Sequence, residues 1–176
     1  MDKHTQDLLE FNKVRELLAS YSFSSLGKDL ARNLEPGFDV AQIRDDIALV
    51  TEMTEAIGQS LAPPFEGLRD VRAPLRRAES GAMLSIEELL DVASTLACTG
   101  NMYRYRMKLP GELGRLIDLL SPIEDHGLIA RSIESCIDPR GHVLDLASPE
   151  LGVVRQKLQE IDDRVQNQIR KLLHDP

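Results

Sequence analysis

The sequence has few aromatic residues, two cysteines and no long apolar run, and each shortage excludes a class of protein. Aromatic residues make up 4% of the 176 residues and tryptophan is absent, so Leu, Ile, Val and Ala have to build the core. This favours helix packing on helix over a β-sandwich. No stretch approaches the roughly 20 apolar residues of a membrane-spanning helix. Cys98 and Cys136 match no metal or redox spacing, and with no signal peptide they predict reduced thiols in a cytoplasmic protein.

Positive charge is also in short supply. There are 21 Lys and Arg against 29 Asp and Glu, for a formal net charge of −8. Because Lys and Arg supply most non-specific affinity for nucleic acid, this balance works against unaided binding. One basic group stands out, made of Arg69, Arg72, Arg76, Arg77, Arg104, Arg106 and Lys108. A phosphate contact is one role for it, and pairing with nearby Asp and Glu is the favoured prediction.

Motifs for catalysis or cofactor binding are absent from the sequence. There is no G-x-x-x-x-G-K-[ST] phosphate loop, no G-x-G-x-x-G and no H-E-x-x-H. The histidines are scattered, at His4, His126, His142 and His174. The run Glu124-Asp125-His126 suggests either an acid–base cluster or, as the favoured interpretation, acidic residues in the first turn of a helix. We therefore predict no catalytic, cofactor-binding or metal-ligating residue, and a small helical enzyme has no candidate site.

The sequence does contain a succession of helical patterns. Predicted helices cover about residues 5–21, 26–33, 40–58, 86–106, 112–120 and 123–135, with a short arginine-rich helix ending near residue 80. Asp39 is the predicted cap of the third helix, and Ser85 with Glu88 has capping-box spacing. The third helix has one predicted apolar face, formed by Val40, Ile43, Ile47, Val50, Met53, Thr54 and Ile57.

The last helix is the longest pattern. Ser148 is a good N-cap, Pro149 suits the first helical position, and Glu150 complements the helix dipole. Apolar residues then follow a heptad seam at Leu151, Val154, Leu158, Ile161, Val165 and Leu172, with Gln168 interrupting it. No cap follows Leu172-Leu173, so the helix is expected to continue. The seam suits a dimeric coiled coil, packing on the chain's own bundle, or an extended arm.

Between residues 136 and 145, two apolar pairs flank an Asp138-Pro139-Arg140-Gly141 turn, which predicts a small β-ribbon. The whole pattern predicts an all-α fold, a helical bundle with one long C-terminal helix and this ribbon. In this pattern residues 1–147 hold the shorter helices, and residues 148–176 hold the long one.

Four blocks of sequence, in order, resemble the second bacterial branch of the MutS family. The opening Leu9-Glu10-Phe11-Asn12-Lys13-Val14, followed by Ser24-Ser25-Leu26-Gly27, is similar to the branch's LEF-x-K-V…S-x-LG pattern. The other blocks are Gly67-Leu68-Arg69-Asp70-Val71-Arg72, the run 81–90 (GAMLSIEELL), and the run 145–151 (DLASPEL). The blocks extend over essentially the whole chain.

The resemblance implies a longer protein, a homodimeric ATP-dependent DNA-binding protein with core, lever, clamp and ATPase regions and often a small MutS-related nuclease domain. Family members are associated with branched DNA, suppression of recombination and, in some bacteria, rescue of collided ribosomes. The chain would be the core and the start of the lever helix, stopping before the clamp, ATPase and nuclease regions. ATP and Mg would bind elsewhere in the full protein, and no family site residue falls inside this chain.

The alternative hypothesis is a stand-alone cytosolic helical scaffold. It would bind a protein partner through the Leu151–Leu172 stripe, with no membrane contact in either case. A monomeric bundle with every helix capped would favour this alternative.

Overall fold

The computed structural model describes the backbone of residues 3–174 and the side chains of residues 4–170. This part of the chain is all-α, as predicted, and has no named strand. Its α-helices are α1 Lys3–Leu8, α2 Phe11–Tyr21, α3 Ser25–Arg32, α4 Val40–Gly58, α5 Arg72–Glu79, α6 Ile86–Arg106, α7 Gly114–Leu120, α8 Gly127–Cys136 and α9 Pro149–His174, with one 3₁₀ turn at Asp145–Ala147. Among the described residues, no helix is long and apolar enough to cross a membrane.

The first predicted helix is two helices. Glu10 adopts a left-handed backbone conformation, with φ at 53°, and separates α1 from α2. Periodicity did not reveal this break because Glu is a good helix former. The α2–α3 pair is closed by Arg15, which donates to the Leu34 carbonyl at 2.7 Å and to Glu35 Oε1 at 2.9 Å. The Arg15 guanidinium also lies 4.8 Å from the Phe11 ring centre.

The main core lies between α4, α6 and α7. Its buried residues are Ala56, Cys98, Met102, Tyr105, Leu109, Leu113, Leu116 and Leu120. Leu49 and Met53 of α4 pack against this cluster. Tyr105 donates its hydroxyl hydrogen bond to the Leu61 carbonyl at 3.0 Å, which ties the loop after α4 to α6. One tyrosine among aliphatic residues agrees with the low aromatic content.

The predicted apolar face of α4 is only partly correct. Met53 packs on the core, whereas Val40, Ile47, Val50 and Ile57 are exposed. The helix therefore packs through Leu49, Met53 and Ala56, because these residues share the side that meets α6 and α7. Asp39 caps α4 as predicted, accepting the Ala41 N–H at 2.8 Å.

The β-ribbon prediction is corrected to one isolated bridge. Ile137 and Val143 form a single antiparallel bridge around the turn, and neither belongs to a strand in the described residues. Instead of further backbone hydrogen bonds between the two segments, the Asp138 side chain accepts the N–H groups of Arg140 at 2.9 Å and His142 at 2.8 Å. Because the Asp138 side chain binds these N–H groups inside a short turn, too few residues remain on either side of the bridge to form two strands.

Two helix starts were predicted too early. The helix expected from residue 112 is α7, which begins at Gly114, and the helix expected from residue 123 is α8, which begins at Gly127. Ile123 instead packs beside the core cluster before α8 starts. In contrast, the capping box of α6 is complete: Ser85 Oγ accepts the Glu88 N–H at 3.2 Å, and Glu88 Oε2 accepts the Ser85 N–H at 2.9 Å.

Candidate functional site

Three of the four arginines from Arg69 to Arg77 are paired with acidic residues, as predicted. Arg72 binds Asp70 at 2.7 Å and Arg77 binds Glu88, so both of these positive charges meet a carboxylate. Side-chain hydrogen bonds from Arg72, and then its backbone N–H, lower the pKa of Asp70 to about 2. Arg69 lies 3.7 Å from Asp91. These contacts support a structural role for the group.

The basic residues at the end of α6 form a separate group, which corrects their assignment to one patch. Arg77 binds Glu88 in the first turn of α6, whereas Arg104 stands in its last turn. Glu88 and Arg104 are 16 positions apart in α6, which corresponds to about 24 Å along a helix axis. Arg104 donates to Asn101 Oδ1 at 2.6 Å, and Arg106 donates to the Ser121 carbonyl at 2.8 Å.

The Glu124-Asp125-His126 run precedes α8 instead of forming its first turn. Asp125 accepts the Gly127 N–H at 2.8 Å, so it holds the chain entering the helix. His126 Nε2 lies 3.9 Å from Glu124 Oε2, and both side chains are exposed. Within the described residues, no group of three or more His, Cys, Asp or Glu side chains is arranged to hold a metal ion. Cys98 and Cys136 are free thiols.

The start of α9 has the cap that the sequence predicts. Ser148 Oγ accepts the Leu151 N–H at 3.1 Å and donates to Glu150 Oε2 at 2.8 Å. The backbone N–H of Glu150 itself, followed by this bond from Ser148, lowers the pKa of Glu150. A negative charge therefore persists at the positive end of the helix dipole.

Arg155 links α9 by hydrogen bonds to the segment that follows α8. Its Nη1 donates to the Val143 carbonyl at 2.8 Å and to Asp145 Oδ1 at 2.5 Å. Val143 is also the bridge partner of Ile137, which is buried directly after α8. We call this connection, from Ile137 to Arg155, the α8–α9 junction. It links the long helix to α8, and α8 packs against α6.

Most of the heptad side chains of α9 face solvent. Leu158 is 60% exposed and Val165 is 47% exposed, and the exposed fractions of Val154 and Ile161 lie between these two values. We call Leu151, Val154, Leu158, Ile161 and Val165 the α9 seam. Leu151 is half-buried at the base of the helix, whereas the exposure of the other four excludes their packing on the chain's own bundle. The predicted seam position Leu172, and the predicted uncapped end at Leu172-Leu173, lie outside the described side chains.

Sequence reasoning missed the residues that join the elements. No sequence pattern pointed to Arg155, because its hydrogen-bond partners lie 10 and 12 residues earlier in the chain, on the other side of a turn and a helix cap. Glu52 was missed because its partner is 64 residues away: its Oε2 accepts the Leu116 N–H of α7 at 2.9 Å. Hydrophobic periodicity and motif spacing report local structure, and neither can reveal such pairs.

These features define a helical structural module. The described part carries an exposed heptad seam on a long helix and a hydrogen-bonded junction at its base. Its charged clusters are engaged in ion pairs, caps and turns. The described helices are joined to one another by these caps, ion pairs and hydrogen bonds.

Comparison with known proteins finds similarity to much longer proteins. The putative endonuclease MutS2 of Bacillus subtilis (strain 168) is 32% identical over 98% of this chain, which covers 22% of that protein. Endonuclease MutS2 of Exiguobacterium sibiricum is 32% identical over 98% of the chain, covering 23% of that protein. Endonuclease MutS2 of Geobacillus sp. (strain WCH70) is 33% identical over 97% of the chain, covering 22%.

The chain thus spans less than a quarter of the length of these curated relatives. The similarity along nearly the whole chain is consistent with a fragment of a MutS-family protein. No family model matches the sequence.

Proposed function

We propose that this chain is the structural core and the start of the lever helix of a longer protein in the second bacterial branch of the MutS family. The observation that carries the proposal is the similarity of 98% of the chain to proteins named endonuclease MutS2. The four ordered sequence blocks and the all-α fold support it. In this proposal the core is residues 1–147 and the lever begins at residue 148.

The full protein, in this proposal, is a cytoplasmic homodimer that binds DNA in an ATP-dependent way and has ATPase and endonuclease activity. ATP and Mg bind outside the present residues. The proposed substrates are branched or recombining DNA, with suppression of recombination as the outcome and a collided ribosome as a further possible target. The names of the relatives support a role on DNA, since they describe an endonuclease.

Within that protein, α9 transmits nucleotide state from the ATPase to the DNA clamp. The α8–α9 junction supports this role because Arg155 binds both the Val143 carbonyl and Asp145, which joins α9 to α8. A helix attached through several hydrogen bonds moves with its base. The α9 seam offers the surface through which a neighbouring helix would follow that motion.

The test replaces two seam residues in the full-length protein, Leu158→Asp and Val165→Asp, and measures DNA-stimulated ATP hydrolysis. We expect DNA binding and ATP turnover to become uncoupled, with at least a tenfold smaller stimulation by DNA. Gln159→Asp with Gln166→Asp is the matched control, because it adds the same charges to exposed positions on α9 outside the seam. Equal stimulation in the seam variant and the control would refute transmission through α9.

The junction has its own test. Arg155→Ala in the full-length protein removes both hydrogen bonds and should weaken the same coupling, while Arg164→Ala, another exposed α9 arginine, should not. Coupling that survives in Arg155→Ala at the wild-type level would show that the junction does not carry the motion.

The exposure of the α9 seam also supports the second candidate, a stand-alone scaffold that binds a protein partner through this stripe. Sequencing the source gene past the codon for Pro176 separates the two. Several hundred further residues with a G-x-x-x-x-G-K-[ST] loop would support the MutS-family proposal. A stop codon there would reject it and leave the scaffold.

A further inference from the structure

The loop that follows α4 is held against the second half of α6. Tyr105 donates its hydroxyl hydrogen bond to the Leu61 carbonyl at 3.0 Å, and the Cys98 thiol donates to the Pro64 carbonyl at 3.4 Å. Both of these α6 residues are buried. The loop is therefore a fixed wall, and two cavities open along it.

The first cavity is basic. It has a volume of about 310 Å³ and is lined by Asn101 and Arg104 of α6, by Lys108 just after α6, and by Ser60 of the loop. Arg104 donates to Asn101 Oδ1 at 2.6 Å, which orients the guanidinium and leaves its other N–H donors available. Neither Arg104 nor Lys108 forms an ion pair with another described residue. Two such cations beside a cavity suit a phosphate group.

Ser60 brings a hydroxyl to the same cavity at the cost of backbone strain. Its φ is 64°, and it ends α4 because its own N–H donates to the Ile57 carbonyl while the Leu61 N–H donates to the Ala56 carbonyl, both at 2.9 Å. Glycine is the usual residue at this position of a helix end, since it adopts a positive φ without strain. A serine there adds a donor that a phosphate oxygen can accept.

The second cavity is aromatic and adjoins the first, because Pro64 and Asn101 line both. It has a volume of about 500 Å³ and is lined by Phe23 and Phe65, which are 70% and 41% exposed. Exposed aromatic rings are platforms on which nucleobases stack. Glu66 also lines this cavity, and its carboxylate can accept from the amino group of a base. A basic cavity beside an aromatic one matches the two ends of a nucleotide.

We propose that the two cavities form a binding site for a free nucleoside monophosphate. The phosphate binds Arg104, Lys108 and the Ser60 hydroxyl, and the base lies against Phe23 and Phe65. Both volumes fall within the range of about 300–1,000 Å³ that is typical of small-molecule sites. The bases of duplex DNA are stacked on one another, so a duplex does not fit this site. The inference goes beyond the proposed function, in which ATP binds outside residues 1–176, and it does not need the longer protein.

NMR titration of the 176-residue chain tests the proposal. Adenosine 5′-monophosphate is the probe, and adenosine and inorganic phosphate are its two halves. We expect the probe to shift amide signals of residues 60–66 and 101–108, with a Kd of about 1 mM or tighter. Each half should bind at least about tenfold more weakly, because it fills only one of the two cavities. Equal Kd values for the nucleotide and inorganic phosphate, or no shift at these residues, would overturn the proposal.

Paired variants separate the two parts of the site. Arg104→Ala and Phe65→Leu should each weaken nucleotide binding by about tenfold, since a charged hydrogen bond or a stacked ring is lost. Lys108→Ala repeats the first test if Arg104→Ala fails to fold. Arg76→Ala and Phe38→Leu make the same changes at residues that line neither cavity, and should keep the parent Kd.

Ser60→Gly distinguishes a binding role from a structural one. It relieves the strained backbone, so the Tm should rise, yet it removes the hydroxyl and should weaken nucleotide binding by about threefold or more. A purely structural Ser60 would raise the Tm and leave the Kd unchanged. A parent-level Kd in Ser60→Gly, Arg104→Ala or Phe65→Leu would overturn the proposal.

Discussion

At the scale of single residues, a few polar side chains connect elements that are far apart in the sequence. Glu52 of α4 is 13% exposed and accepts the Leu116 N–H at the start of α7. The residue before α7, Leu113, has no side-chain acceptor of its own, so a residue from another helix supplies the missing N-cap. Arg115 adds a second contact, with its Nη1 3.6 Å from Glu52 Oε1.

Glu52→Ala should therefore destabilise the fold by about 1–3 kcal/mol, because it leaves the Leu116 N–H without its charged acceptor. Urea unfolding measures the change. Glu52→Gln retains an acceptor and should lose less. The nearby exposed Glu55→Ala should stay within about 0.5 kcal/mol of the parent. Equal losses in Glu52→Ala and Glu55→Ala would contradict the capping role.

The Asp70–Arg72 ion pair should make the free energy of unfolding depend on pH in the acid range. Its pKa falls from 3.8 to about 2 in the folded chain because Arg72 donates to it. A lowered folded pKa stabilises the protein above the unfolded pKa, and this stability disappears as the pH falls from about 4 to 2. Asp70→Asn should make the free energy of unfolding less dependent on pH in this window, measured by urea unfolding at several pH values.

Substitutions at two glycines distinguish the cost of backbone strain from the cost of a steric contact. Gly81 has φ at 83° and ends α5, and an added Cβ there meets nothing within 4 Å. Gly67 has φ at 85°, and an added Cβ would lie 2.8 Å from Ser94 Oγ, which is held by its bond to the Gly67 carbonyl.

Gly81→Ala should cost about 1–2 kcal/mol, the strain of a left-handed non-glycine residue. Gly67→Ala should cost about 1–3 kcal/mol more, because the crowded Ser94 has to move as well. Thermal unfolding of the two variants checks the order. A smaller loss in Gly67→Ala than in Gly81→Ala would show that the Ser94 contact relaxes freely.

At the scale of elements, local caps decide where several helices begin. Ser24, Asp39, Ser85 and Ser148 each accept a backbone N–H from the first turn of the following helix. The end of α5 follows a similar rule, since Gly81 and Ala82 donate to the carbonyls of Ala78 and Arg77 in a Schellman arrangement. These helix limits follow from residues within a few positions of each other.

Ser148→Ala should loosen the first turn of α9. Loss of the cap costs about 1 kcal/mol, and the Leu151 amide should exchange with deuterium roughly fivefold faster. Hydrogen–deuterium exchange read by NMR measures this change. Ser148→Thr keeps the hydroxyl and should exchange near the parent rate. Unchanged exchange in Ser148→Ala would mean that Arg155 alone holds the start of α9.

At the scale of the whole molecule, charge and exposed apolar surface point to different roles. The net charge of −8 and the ion pairs of the α5 arginines oppose binding to phosphates. Apolar side chains are exposed on α9, at Val154, Leu158, Ile161 and Val165, and on α4, at Val40, Ile47, Val50 and Ile57. The molecule therefore has surfaces suited to other helices, and little surface suited to DNA by itself.

Residues 1–176 alone should bind double-stranded DNA or a four-way junction with a Kd weaker than about 10⁻⁴ M at physiological salt, the weak limit of non-specific binding. Fluorescence anisotropy with labelled DNA of both kinds checks this. A Kd near 10⁻⁶ M for either DNA would contradict it and would assign a nucleic-acid surface to these residues.

The sequence by itself determined the all-α class and several helix starts, because caps, periodicity and composition act over short distances. The break at Glu10 escaped prediction, since good helix formers surround it. So did the late start of α8, where Asp125 accepts the Gly127 N–H just before the helix. Only the tertiary structure decided which face of α4 is buried. That choice depends on where α6 and α7 lie, and so do the Glu52 cap of α7 and the Arg155 junction, whose partners meet only after the chain has folded.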